Sequence, residues 1–90
     1  RRLDVRLRWT DPGGHDREEP AQTMSLSRYG CLLVCHTRFK LGDNLYIWWP
    51  ERNRGVHVRT VYRRLGATAT EMGVEFLGDS DFWGSDFASE

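Results

Sequence analysis

Ninety residues amount to one domain, small enough that folding buries only about 60–65 % of the unfolded chain's surface. With 13 basic and 13 acidic side chains the formal charge is zero, which excludes a surplus field for gripping a long polyanion. No apolar run approaches the roughly 20 residues that span a bilayer, and no signal-peptide pattern is present.

The charge that exists is unevenly spread. Arg1, Arg2, Arg6 and Arg8 crowd the start, and Asp79, Asp81, Asp86 and Glu90 crowd the end. A local arginine cluster suits a small anionic ligand, and it equally suits a solvated basic edge strand. The chain does not begin with Met, so residues before Arg1 are expected in its natural form.

In chain order the periodicity is almost everywhere two. Leu3, Val5, Leu7 and Trp9 alternate with Asp4, Arg6 and Arg8, which predicts a half-buried strand. The Asp-Pro and Gly-Gly pairs of residues 11–14 then set a turn. The polar segment 17–23 is restricted by Pro20 to an edge or loop. The next strand is expected from about Tyr29 to His36, turning back through Gly42. Leu45, Ile47 and Trp49 alternate with Tyr46 and Trp48 until Pro50 stops them. Between Val58 and Val61 the apolar phase shifts, the sequence form of a β-bulge. Met72, Val74 and Phe76 give a final strand. Beyond it, either a short helix begins at Ser80 or the tail aromatics dock back on the core.

Five or six short strands without an amphipathic helix predict an all-β barrel or sandwich. Four tryptophans, four phenylalanines and three tyrosines let such a thin core bury much apolar area. Leu3, Val5, Leu33, Leu45, Ile47, Val74 and Phe76 are the expected interior.

Cys31 and Cys35 share a face of their strand about 13 Å apart, at roughly 3.3 Å per residue. A disulfide needs Cα atoms within about 7 Å. Two buried, reduced, metal-free thiols are therefore expected, in keeping with a cytoplasmic setting. A metal site with His36 would require a helix or turn to gather the cysteines. Catalysis has no visible constellation: Ser25 and Ser27 have no histidine nearby in sequence, and His15, His36 and His57 are scattered. The chain is read as a binding protein, not an enzyme, with no cofactor.

The segment Ser25-Leu26-Ser27-Arg28-Tyr29-Gly30 sets two hydroxyls, a cation and a permissive glycine just ahead of a strongly apolar strand. It reads either as an ordinary serine-rich turn or as a concave polar turn, with Gly30 allowing positive φ and close backbone approach. The order of parts adds weight to the second. Arginines precede a first strand, an S-x-x-G turn precedes an apolar strand, and "LGDNLYIWWP", a Val-rich strand and "MGVEFL" follow. This order resembles the PilZ domain, a family of bacterial receptors for cyclic di-GMP, over nearly the whole chain from Arg1 to about Phe82.

The resemblance implies an all-β, six-stranded antiparallel barrel (a split barrel) over about residues 3–77, with a tail at 78–90. It implies cyclic di-GMP as the ligand and a protein partner or adjacent domain as the listener, without DNA, RNA or membrane insertion. The family's [DN]-x-S-x-x-G element maps onto Ser25, Ser27 and Gly30, with Arg28 inside it. Ser25 stands where Asp or Asn is usual, a weaker acceptor of shorter reach. The family's R-x-x-x-R element has two registers here. Arg2 and Arg6 satisfy its spacing literally; alternatively Arg1 or Arg2 is the second arginine, just ahead of the strand, and the first precedes the chain. The runner-up is a degenerate relative that serves as a protein-interaction module without binding the nucleotide. A barrel stacking single-stranded nucleic acid on its aromatics is a third reading, opposed by the zero net charge.

Overall fold

A computed structural model describes residues 2–78 and 81–84. Six strands, β1 (Asp4–Thr10), β2 (Asp16–Ser27), β3 (Gly30–Cys35), β4 (Asn44–Trp49), β5 (Arg54–Leu65) and β6 (Thr70–Phe76), close into a barrel in the order β1-β2-β3-β6-β5-β4. Every neighbouring pair is antiparallel. The narrowest seam is β1 with β4, where only Arg6–Arg8 pair with Tyr46–Trp48. A single 3-10 turn, Pro50–Arg52, ends β4 where Pro50 removes a ladder donor. Among the described residues no helix is long and apolar enough to cross a membrane.

The alternation works as written in the sequence. Val5, Leu7, Leu33, Leu45, Ile47, Val58, Met72 and Val74 point inward and are buried, while Leu3 and Phe76 are half-buried at the margin of the core. The phase shift expected between Val58 and Val61 is a bulge between Thr60 and Tyr62, which leaves Val61 on the outside. Bulges add twist and bend, which a closing barrel of six strands needs.

Two expectations are corrected. The segment 17–23 is no loop: it lies within the 12-residue β2. Ala21 and Thr23 face in, Glu19 shares their phase opposite Leu7 and accepts from the His36 and Thr37 amides, and a bulge between Thr23 and Ser25 resets the phase to Leu26. Pro20 is tolerated because β3 pairs with β2 only from Gln22 onward, so its nitrogen faces no ladder on that side. Nor do Ser25 and Ser27 form a turn. Both belong to β2, and the turn is the two-residue link Arg28–Tyr29.

The tail docks. Phe82 and Trp83 are buried against Trp49 and Phe76, with ring centroids 4.7–6.0 Å apart. Arg54 lies over Phe82 at 5.7 Å, and the Trp83 indole N–H donates to the Gly30 carbonyl at 3.2 Å. The alternative of a helix from Ser80 falls outside the described residues. Cys31 and Cys35 are free and buried on the inner face of β3. Burial pushes both thiols up to about 12, with the Glu19 carboxylate adding to the rise at Cys35.

Candidate functional site

The serine segment lies on the outer surface of the barrel, and of the N-terminal arginines Arg2 is set beside the same strand, β2, at Gln22. Ahead of β1, Leu3 exchanges two hydrogen bonds with Thr23. Its N–H donates to Thr23 Oγ1 at 2.7 Å, and its carbonyl accepts from the Thr23 N–H at 3.0 Å. Those bonds lay the chain before Asp4 alongside β2, just short of Ser25. Arg2, in outward phase with Asp4, reaches Gln22 Oε1 at 3.5 Å. Arg1 lies outside the described residues.

From Ser25 a cross-strand row runs over the outer face: Ser25 opposite Leu32, Leu32 opposite Gly73, Gly73 opposite Tyr62. Both bulges of the barrel border it, one beside Ser25 and one beside Tyr62. With no side chain at Gly73, the row sinks between Leu32 and Tyr62, whose atoms stand 3.0–3.6 Å from where a Cβ would be. The result is a depression of 360 Å³ lined by Ser25, Ser27, Tyr29, Leu32, Val61 and Glu75, among others. Tyr29, Leu32 and Val61 give it apolar surface, and Ser25, Ser27 and Glu75 its polar groups.

The remaining site residues divide. Ser25 and Arg28 are exposed. Ser27 is partly spent on the hairpin: its hydroxyl accepts from the Tyr29 N–H at 3.2 Å and donates to the Gly30 carbonyl at 3.4 Å. Gly30 does not take positive φ, which among the described glycines is confined to Gly14, Gly42, Gly78 and Gly84. The close approach it permits is internal, because a Cβ there would sit 1.9 Å from the Val74 carbonyl oxygen. Its small size thus serves the contact between β3 and β6.

Arg6 is not brought to this face's ligand-ready end. Four residues along the strand set it about 13 Å from Arg2, and its Nε donates to Glu18 Oε2 at 2.9 Å. Arg8 holds the other oxygen at 2.6 Å and stacks over Trp48 at 5.3 Å. The Arg8 hydrogen bond, seconded by Arg6, keeps the Glu18 carboxyl below the usual carboxylate range. By contrast, no carboxylate pairs with Arg2 or Arg28 among the described residues.

A larger concavity, 670 Å³, opens where β1 and β4 splay apart beside Trp9, Tyr46 and His57. Its arginines are already engaged, Arg8 with Glu18 and Arg17 with Asp11, so it offers an anion little. Among the described residues no group of three His, Cys, Asp or Glu side chains is placed to hold a metal ion.

Two contributors carried no signal in the sequence. Thr23 is one of several hydroxyl residues in a polar run, and only the β1–β2 register reveals that it anchors Leu3. Glu75 reads as the solvent side of an ordinary strand until β6 is paired with β3. Compared with family models, with curated proteins and with solved structures, the chain finds no match.

Proposed function

We propose that this chain is a PilZ-type receptor domain that binds cyclic di-GMP on the outer face of β2, β3, β6 and β5, and passes the event to a partner or adjacent domain. One observation carries the reading. The Leu3–Thr23 hydrogen bonds lay the arginine-bearing N-terminal segment against β2 beside the Ser25–Gly30 segment and its depression. Sequence elements about 20 residues apart are thereby neighbours on one surface.

The chemistry fits a ligand with two phosphates and two purines. Arg2 and Arg28, unengaged by carboxylates among the described residues, suit phosphate oxygens or a guanine's O6 and N7. The apolar surface of Leu32 beside Gly73 suits a ring face. Because Glu18 already holds Arg6, the register that makes Arg2 the second arginine of the pair is the better one. No bond is made or broken in this scheme. Ordering of the N-terminal segment over the ligand changes the surface presented to a neighbour.

Titration calorimetry on the chain tests it. Low-micromolar affinity, roughly −8 kcal/mol, is expected, weakened by Arg2→Ala with little change in thermal stability and by Ser27→Ala, which also removes the hydroxyl's two hairpin hydrogen bonds. Absence of both heat and thermal shift at high ligand concentration would defeat the reading.

The second reading, an interaction module that does not bind the nucleotide, is favoured by the apolar side chains on the same face. Tyr29 is 67 % exposed, Val61 50 % and Tyr62 43 %.

A further inference from the structure

We infer that Glu75 reads the donor edge of a guanine in the depression, supplying the carboxylate that Ser25 lacks. The inference rests on the receptor reading above and names the residue that would set base specificity. Pairing of Ser27 with Gly30 and of Gly30 with Glu75 places Glu75 on the same cross-strand row as the serine segment. Two strand spacings separate it from Ser27, about 10 Å. It lines the depression opposite Ser25, with a side chain 39 % exposed.

Its hydrogen bonding is lopsided. Arg59 donates to Oε1 from Nε at 2.9 Å and from Nη2 as well, while Oε2 accepts no hydrogen bond from a described residue. The guanidinium therefore does two things. It fixes the carboxylate's orientation, and it offsets a charge that would otherwise repel the ligand's phosphates. The remaining oxygen is a strong acceptor beside the apolar surface of the depression. Guanine presents N–H donors at N1 and N2 along one edge, and a carboxylate oxygen is the stronger partner for them than a serine hydroxyl.

The test compares cyclic di-GMP with cyclic di-IMP, which differs only in lacking the 2-amino groups, by calorimetry on the chain and its Glu75→Ala variant. Releasing Arg59 alters the attraction for phosphate equally for both ligands, so the ratio of affinities isolates the base edge. The native chain is expected to prefer cyclic di-GMP by about tenfold, the worth of one hydrogen bond to a charged acceptor. In Glu75→Ala the preference should largely vanish, while Arg59→Ala, which keeps the carboxylate, should retain part of it. Circular dichroism on each variant confirms that the barrel is intact. A native chain that binds both ligands equally, or a Glu75→Ala variant that keeps the native preference, overturns the role of Glu75 and leaves the receptor reading standing. A native chain that binds neither ligand overturns both.

Discussion

Gly30 and the two cysteines show how single residues serve the barrel itself. A methyl group at position 30 would meet the Val74 carbonyl at 1.9 Å, so Gly30→Ala forces β3 away from β6. Overpacking of this kind costs about 1–3 kcal/mol, and a domain of this size loses roughly 4–8 °C of melting temperature per kcal/mol. Thermal denaturation should show that loss with no ligand present. The thiols give an alkaline signature. Their folded pKa values, about 12, lie above the ordinary value of 9.0, so the unfolded chain releases protons that the folded chain keeps. Stability should be untouched below about pH 9 and should fall as pH rises from there toward 12. Urea titrations at intervals across that window check the sign, and replacing both cysteines with Ala should flatten the dependence. That Cys31 and Cys35 share an inner face was legible from their four-residue spacing, since a strand's period of two leaves no other outcome. The role of Gly30 was not, because a glycine needed for positive φ and one needed for strand contact look alike in sequence.

Among the elements, β2 carries the most meaning and was the hardest to read. Its N-terminal half pairs with β1 and its C-terminal half with β3, so it bridges the arginine strand and the apolar one. Ala21, Thr23 and Leu26 are its buried residues, the inward phase also holds the polar Glu19, and the bulge after Thr23 breaks the alternation, which leaves no run of apolar residues to mark a strand. Strands β1, β4 and β6 announced themselves because each keeps an unbroken alternation. Within β2, Thr23 ties down the N-terminal segment. Thr23→Val keeps the shape, removes the acceptor for the Leu3 N–H, and should cost about 1–3 kcal/mol for the unpaired donor. Amide exchange should show the Leu3 N–H losing protection while the amides of β4 and β5 keep theirs. Equal loss of protection throughout would mean that Thr23 acts on the whole core and not on the segment's attachment.

At the scale of the molecule, closure is the organising fact. A barrel sealed by a three-pair seam between β1 and β4, and plugged by Phe82 and Trp83, presents its outer face as one continuous wall. The indole N–H of Trp83 fastens that plug to the Gly30 carbonyl, immediately behind the serine hairpin. Two hollows on the wall differ in how their neighbouring arginines are engaged. One is the depression between the bulges, with Arg28 next in the chain to its lining residues Ser27 and Tyr29; the other is the wider hollow by Trp9, Tyr46 and His57, whose arginines are ion-paired. The proposed function assigns the ligand to the first. The most direct measurement is a two-dimensional ¹H–¹⁵N spectrum of the labelled chain recorded during titration with cyclic di-GMP. The account predicts saturable shifts concentrated at the amides of Arg2, Ser25–Gly30, Leu32, Gly73 and Glu75, with those of Tyr46 and His57 unmoved. An unchanged spectrum at ligand excess, or shifts gathered around Tyr46 and His57, would contradict it.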